Sequence, residues 1–354
     1  MKKRTIQSVW LTGLLLLWGL VTGCSEQSEP DVPQGKPLQI RSLTRSSSVQ
    51  LKEGVKILIA PLLLDGTEAQ AGYVTYAGKV GGKDTWNSGV YVDLDEEYWI
   101  YGYMPSSVVG DYRITATKSG NTVVGSSLTL KGVAALSAED LCVIIGVGDG
   151  EAAADVERGN FSYNPSVGEN GEINGISLLM DHLFAAANFQ MKIDPDYNKL
   201  RTIKLKRLAL KCHAANKGDK VDVTITFRNG QEDPISSITT TDVPSNQTAE
   251  LVLFEDANGI ALEEETSIID ETKSLIHLIP SFATSLSLVS TYDVYDKKGN
   301  KVRENCQATN SLSLVLAGIA RGQIRPVVLT VKPTYLYMLS EPDLENPTLD
   351  VNNE

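Results

Sequence analysis

The chain has 354 residues, which is enough for two domains of ordinary size, and its formal net charge is −12. Binding to nucleic acid depends on clustered Lys and Arg, so this acidic composition excludes a nucleic-acid partner. After residue 23, no segment has the length and apolar character that a membrane-spanning helix needs.

The first 23 residues have the pattern of a secretory signal peptide. Basic residues 2–4 precede an apolar run over residues 9–20, which is too short to span a bilayer comfortably. The run leads into Leu20-Val21-Thr22-Gly23-Cys24, which resembles the lipobox of bacterial lipoproteins. That resemblance implies cleavage between Gly23 and Cys24, and fatty acyl chains, such as palmitate, on Cys24. Several acyl chains would hold the protein on the outer membrane. The alternative is a soluble secreted protein with a chance cysteine.

The rest of the chain is predicted to be mainly β. Residues 24–37 are polar and contain prolines, which indicates a flexible, lipidated tether. Residues 38–45 alternate between apolar and polar side chains and predict a short strand. Further short strands, separated by Gly, Asn and Asp, are predicted at residues 55–64, 72–77, 89–94, 98–103, 111–117, 122–130, 141–147, 201–211, 221–227, 249–254, 285–295, 301–309, 324–331 and 334–339.

Many short strands with turn residues between them are typical of β-sandwiches. Residues 148–175 are rich in Gly, Asn, Glu and Ser and predict a long loop between two domains. We therefore expect an N-terminal β-sandwich over residues 38–174 and a C-terminal β-sandwich with a terminal strand over residues 175–354. Residues 176–193 fit a helical face in their first part and a strand in their second, so both interpretations stay open there.

No motif predicts an enzyme, a cofactor or a metal site. His213 follows Cys212, but adjacent residues of a strand point to opposite faces. Residues 194–198 begin like a calcium loop, yet the sixth position lacks Gly and the twelfth lacks Glu, so a turn is expected. Cys142 lies in an apolar run and is expected to be a small buried side chain. A disulfide between Cys212 and Cys306 stays open.

Several sequence segments, taken in their order after the lipobox, resemble segments of the fimbrillins, the pilin-like surface lipoproteins of the Bacteroidales. The segments are Trp86-Asn87-Ser88-Gly89 with residues 97–105, residues 178–185 with 189–193, residues 292–299, residues 321–323 with 328–331, and residues 333–340 with 343–348. The resemblance implies two tandem transthyretin-like β-sandwiches of the Ig-like kind. It also implies a surface or fimbrial location, subunits that assemble by β-strand addition, and an Arg-specific protease that removes the first strand.

On that resemblance, two regions are candidates for the assembly chemistry. Arg45 is the favoured processing residue, because a serine run follows it, and Arg41 is the second candidate. Alternatively, both arginines are solvated residues of the tether. Alternating Tyr335, Tyr337 and Leu339 make the C-terminal segment the candidate donor strand, or else the last strand of its own domain. Only about twenty residues follow Pro333, which is short for a donor. This length argues against polymerisation and favours an uncleaved anchor, a tip subunit or a surface relative that belongs to no pilus.

The function expected from the sequence is a non-enzymatic, fimbrillin-like lipoprotein that serves in fimbriae and cell adhesion. Its expected partners are other fimbrial subunits or copies of itself, the outer membrane, and host or bacterial surface ligands. A second hypothesis is a surface glycan-binding lipoprotein in which Trp86, Tyr91, Trp99 or Tyr101 stacks on a sugar.

Overall fold

The structure is a computed structural model. It describes residues 35–45, 56–80, 83–149, 156–167, 175–212, 220–243, 250–265, 267–268, 275–335 and 342–352. The predicted signal peptide, Cys24 and nearly all of the tether lie outside the described residues, as do Tyr337 and Leu339. Within the described ranges, no helix is both long enough and apolar enough to cross a bilayer.

Most of the described residues lie in strands, which confirms the mainly β prediction. The strands up to residue 182 are β1 (Lys36–Pro37), β2 (Ile40–Arg45), β3 (Lys56–Leu63), β4 (Gly72–Val80), β5 (Lys83–Asn87), β6 (Tyr91–Val92), β7 (Tyr98–Met104), β8 (Asp111–Ser119), β9 (Thr122–Ala134), β10 (Leu136–Ser137), β11 (Cys142–Gly148), β12 (Ser162–Tyr163) and β13 (Ile176–His182). The later strands are β14 (Ala185–Ile193), β15 (Thr202–Cys212), β16 (Lys220–Arg228), β17 (Ile235–Asp242), β18 (Glu250–Ala261), β19 (Ser267–Ile268), β20 (Leu275–Leu278), β21 (Leu286–Tyr295), β22 (Lys301–Ser311), β23 (Ile324–Tyr335) and β24 (Pro342–Asn352). A short helix, α1 (Pro195–Leu200), and 3-10 turns at Ser106–Val108 and Pro280–Ser285 complete the elements.

Two sheets face each other to form what we call the first sandwich. One sheet has the order β2-β13-β11-β7-β3-β4-β5, with β12 paired to β7, and the other has the order β17-β16-β9-β8. Aromatic contacts hold the two sheets together. The centre of the Tyr101 ring, on β7, lies 4.7 Å from that of Phe161 and 5.6 Å from that of Phe227, on β16. Every residue of β7 is buried, as expected of a central strand covered on both faces.

The second sandwich is built from the remaining two large sheets. One has the order β10-β20-β14-β23-β24, with β19 paired to β14, and the other has the order β18-β15-β21-β22. Strands β14 and β23 run parallel, from the Ala186–Ile324 pair to the Ile193–Val331 pair. Both strands contribute apolar side chains to the core, including Phe189 and Leu329, which are fully buried.

The chain passes between the two sandwiches more than once. Strand β13 pairs with β11 of the first sandwich, whereas β14, only two residues further on, belongs to the second. Strands β16 and β17 then return to the first sandwich, where β16 pairs with β9. Strands from before and after residue 175 are therefore hydrogen-bonded within the same sheets. The predicted boundary between two domains at residues 174 and 175 stays a prediction.

The structure defines the local conformation of two regions that were difficult to assign from the sequence. Residues 176–193 form two strands, because Leu183 and Phe184 turn the chain from one sandwich to the other. The turn predicted at residues 194–198 is instead the start of α1. The Asp194 carboxylate caps that helix by accepting from the backbone N–H groups of Asp196 and Tyr197 at 3.0 Å.

The C-terminal strands differ from those predicted. Strand β23 continues through Pro333 to Tyr335, so the break expected between residues 331 and 334 is absent. The sequence does not predict strand β24, because its residues 342–352 include two prolines and five acidic or amide side chains. These residue types are uncommon in strands. Its backbone nevertheless pairs along most of β23.

Candidate functional site: the terminal edge strands

The segment from Lys36 to Arg45 lies in a groove of the first sandwich and is hydrogen-bonded on two sides. Strand β1 pairs with β6, and the Leu38 N–H donates to the Val90 carbonyl at 2.8 Å. The chain then changes partner: β2 runs parallel to β13 from the Ile40–Ile176 pair onward, and β2 also contacts β5 at the far end of the same sheet. The large sheet thus curls around this segment.

Alternate side chains of the segment point into the core. Leu38 is 1% exposed and Ile40 is 6% exposed, and Leu43 packs against the same core while partly buried. Gln39 and Arg41, between them, are exposed. Burial of one such aliphatic side chain is worth about 1.5–3 kcal/mol, so the groove holds this segment mainly through two side chains and a backbone ladder. Alternation in the sequence predicted the strand, but not its parallel partner.

The two candidate processing residues occupy different places in this segment. Arg41 lies at a register shift between β2 and β13, and its Nη1 donates to the Asp149 carbonyl at 2.8 Å. Arg45 is the last residue of β2, opposite Met180, and residues 46–55 after it lie outside the described part. A protease binds its substrate as an extended, unpaired chain, so a strand end is easier to cut than a strand interior.

The C-terminal candidate is divided between two strands. Tyr335 ends β23 and pairs with Pro342, the first residue of β24, while Tyr337 and Leu339 fall in the six residues that connect the strands. Strand β24 forms the edge of its sheet and contacts β22 of the facing sheet. Residues 342–352 thus serve the second sandwich as an edge strand. The donor role of Tyr335, Tyr337 and Leu339 stays a prediction.

Two of the four aromatic residues in the glycan hypothesis cannot meet a sugar. Trp99 is 4% exposed and Tyr101 is 0% exposed, because both belong to the central strand β7. The Tyr101 hydroxyl donates to Asn229 Oδ1 at 2.8 Å, and burial raises the pKa of this tyrosine. Trp86 is partly buried, edge-on to Tyr76 at 5.0 Å, and Tyr91 is partly exposed.

Among the described residues, no cysteine forms a disulfide. Cys142 is fully buried, as predicted, and Cys212 and Cys306 are not bridged to each other. Burial raises the pKa of Cys306, so its thiol stays protonated at neutral pH. His213 lies outside the described residues.

Comparison with known proteins finds similar solved structures. No profile of a known protein family matches the sequence, and no curated protein matches it either. A fimbrial protein from Bacteroides vulgatus is 15% identical, with a TM-score of 0.42, over 89% of this chain and 98% of that one. The fimbrial anchor protein Mfa2 from Porphyromonas gingivalis is 13% identical, with a TM-score of 0.29, over 90% of this chain and 98% of that one. A candidate cell adhesion protein from Bacteroides uniformis is 11% identical, with a TM-score of 0.41, over 91% and 99%. These structures are fimbrial and adhesion proteins of the Bacteroidales.

Proposed function

We propose that this chain is a non-enzymatic, fimbrillin-like surface lipoprotein that serves as a structural, anchor or tip subunit of fimbriae. In this proposal Cys24 carries the acyl chains that hold the protein on the outer membrane. As a polymerising structural subunit, the chain is cut after Arg45 by an Arg-specific protease, and a strand donated by another fimbrial subunit, or by a second copy, takes the place of residues 36–45. As an anchor, the chain stays uncut and keeps its link to Cys24. Host or bacterial surface ligands would then be met by the assembled fibre.

The observation that carries the proposal is the way residues 36–45 sit in the first sandwich. Their backbone bonds to residues 90–92 on one side and to β13 on the other, and Leu38 and Ile40 fill the core between them. An extended segment with pockets for alternate side chains is the arrangement that strand addition uses. Its removal would leave an open sheet edge and an apolar groove, which are unfavourable until another strand covers them.

Arg45 is the better processing residue because a single cut there releases the whole segment. The cut leaves residues 24–45 attached only by non-covalent contacts. A cut after Arg41 would leave residues 42–45 paired with β13, and Arg41 is itself held by its bond to Asp149.

Protease mapping tests the processing step. The full chain is treated with an Arg-specific protease, and the new N-terminus is identified by mass spectrometry. We expect Ser46 as the first residue, and we expect the released chain to form higher oligomers on size exclusion. The Arg45→Lys variant should resist the cut, whereas the matched Arg41→Lys variant should be cut as the wild type is. A chain that stays intact over residues 41–46, or that is cut and stays monomeric, contradicts the role of a polymerising subunit.

Lipidation is tested separately. Labelled palmitate should enter the wild-type chain in bacteria and should not enter the Cys24→Ala variant. Equal labelling of the two chains, or no labelling of the wild type, would overturn the assignment of Cys24.

A further inference from the structure

Three side chains with metal-binding chemistry meet where the chain leaves the first sandwich. Asp140 immediately precedes Leu141 and β11, Cys142 begins β11, and His182 ends β13. Cys142 and His182 are paired across the two antiparallel strands, and the Leu183 N–H donates to the Leu141 carbonyl at 2.8 Å. Backbone pairing therefore fixes the positions of Cys142 and His182, and the bond to Leu141 holds the neighbouring Asp140 close to both.

The three donor atoms converge on one point. His182 Nδ1 lies 2.5 Å from Asp140 Oδ2 and 3.6 Å from Cys142 Sγ, and the sulfur lies 3.5 Å from the same carboxylate oxygen. Asp140 is 8% exposed, Cys142 is 0% exposed and His182 is 6% exposed, so the cluster is almost fully shielded from solvent. Among the described residues, this is where three such donors lie within 4.8 Å of one another.

The geometry does not suit a nucleophilic relay. In such a relay the nucleophile bonds to one ring nitrogen of His and the carboxylate bonds to the other. Here Cys142 and Asp140 both face Nδ1 of His182. Cysteine chemistry that depends on a general base is therefore a poor fit for this cluster.

The same geometry suits a tetrahedral metal ion. Zn²⁺ binds Cys sulfur at about 2.3 Å and His nitrogen or carboxylate oxygen at about 2.0–2.2 Å, which separates sulfur from a neighbouring N or O ligand by about 3.5 Å. The two sulfur distances in the cluster already have this value. The Asp140–His182 contact, which is now a hydrogen bond, would open by about 0.8 Å.

We infer that Asp140, Cys142 and His182 form a Zn²⁺ site, with water as the fourth ligand. Binding removes the thiol proton of Cys142 to solvent and moves the proton between Asp140 and His182 away from Nδ1, to Nε2 or to solvent. A thiolate, a carboxylate and a neutral imidazole then carry two negative charges, which balance the two positive charges of the ion. That neutrality matters because an uncompensated charge is costly in a buried site.

Neighbouring cations do not oppose the ion, because they are already paired. Arg321 approaches the His182 carbonyl at 3.4 Å, but it binds the Asp181 carboxylate at 2.6 Å and Asp233 at 3.1 Å. Arg158 also binds Asp181, at 3.2 Å. The bound ion would clamp β11 to β13 at the point where the chain passes into β14, and so would stiffen the junction of the two sandwiches.

Cobalt substitution tests the site without using any adhesive activity. The full chain is reduced, stripped with chelator and titrated with Co²⁺ while absorbance is recorded. We expect one equivalent to give a thiolate-to-cobalt charge-transfer band and the visible bands of four-coordinate Co²⁺, and we expect Zn²⁺ to displace it. In Cys142→Ser the band should vanish and Zn²⁺ affinity should fall by more than about 100-fold, beyond the 10–100-fold loss typical of outer-shell changes.

The matched control is Cys212→Ser, since Cys212 is also a buried strand cysteine that forms no disulfide. It should keep the cobalt band unchanged. Asp140→Asn keeps the thiolate and should give a weaker complex with the band still present, which makes the test independent of the folding of Cys142→Ser. A wild-type chain without the band, a band that survives in Cys142→Ser, or one that is lost in Cys212→Ser overturns the assignment.

Discussion

Strand β2, near the start of the described residues, and strand β24, at their end, each lie at the edge of a large sheet, but they are held there in different ways. Strand β2 runs parallel to β13, a partner that begins at residue 176, far along the sequence. Strand β24 runs antiparallel to β23, its immediate predecessor, with only residues 336–341 between them. A hairpin strand stays tethered beside its partner if it opens, whereas a single cut after β2 leaves that strand free to depart. The N-terminal edge is thus the one suited to exchange, and the C-terminal edge is suited to retention.

Loss of one groove side chain should give the largest effect. We expect Ile40→Ala to lower the free energy of unfolding by about 2–4 kcal/mol, because the side chain is 6% exposed and its loss leaves a cavity. The matched control is Ile324→Ala on β23, where the side chain is 57% exposed and the change should stay within about 0.5 kcal/mol. Urea unfolding measures both, and equal effects would contradict the importance of the groove.

Acid should weaken the antiparallel hairpin of β21 and β22 more than the N-terminal edge. Burial alone would raise the pKa of Asp293, but the Asn305 N–H and the Lys301 and Lys206 ammonium groups together lower it below the ordinary value of 3.8. A carboxyl with a lowered pKa contributes stability above about pH 4 that is lost as the pH falls through the lowered value. Hydrogen exchange should therefore show faster opening of β22 in acid than at pH 7.

The Asp293→Asn variant isolates this contribution. Its free energy of unfolding at pH 7 should fall by about 1.5–3 kcal/mol, which is the usual contribution of hydrogen bonds to a charged group. Acid should also change the hydrogen exchange of its β22 amides less than in the wild type. Protection of β2 should be the same in variant and wild type. If the acid response of β22 is unchanged in Asp293→Asn, another group is responsible.

The smallest effect is expected where β2 is pinned by an exposed polar contact. Arg41→Ala removes the bond from Nη1 to the Asp149 carbonyl, and the free energy of unfolding should change by no more than about 0.5 kcal/mol. Thermal denaturation beside the wild type measures this. If the free energy of unfolding falls by more than about 1.5 kcal/mol, the value for burying an aliphatic side chain, polar contacts rather than apolar burial hold the segment.

Local pattern predicted much of the fold, and long-range pairing accounts for what it missed. The hairpin expected at residues 285–309 is found as β21 and β22, because its two strands and turn are contiguous. Alternation over residues 38–45 similarly predicted the N-terminal strand. Nothing local indicates that β2 pairs with β13, or that β16 returns to β9, because periodicity carries no information about a distant partner.

The same limit applies to the sites. Cys142 was predicted to be buried, and it is, but its chemistry depends on His182, forty residues away on the paired strand. Trp99 and Tyr101 have the aromatic composition of a sugar-binding surface, and only their central place in the sheet shows that they are core residues. Residue type suggests a chemistry, whereas sheet order decides which side chains are available for it.

Binding of the missing strand is the most direct test of the account. After the chain has been cut at Arg45 and freed of its N-terminal piece, a synthetic peptide of residues 36–45 is titrated into it by calorimetry. We predict one peptide bound per cut chain, no binding to the uncut chain, and no binding of a control peptide that carries Asp at positions 38 and 40. Equal binding to cut and uncut chains, or none to the cut chain, would contradict the claim that residues 36–45 fill a replaceable groove.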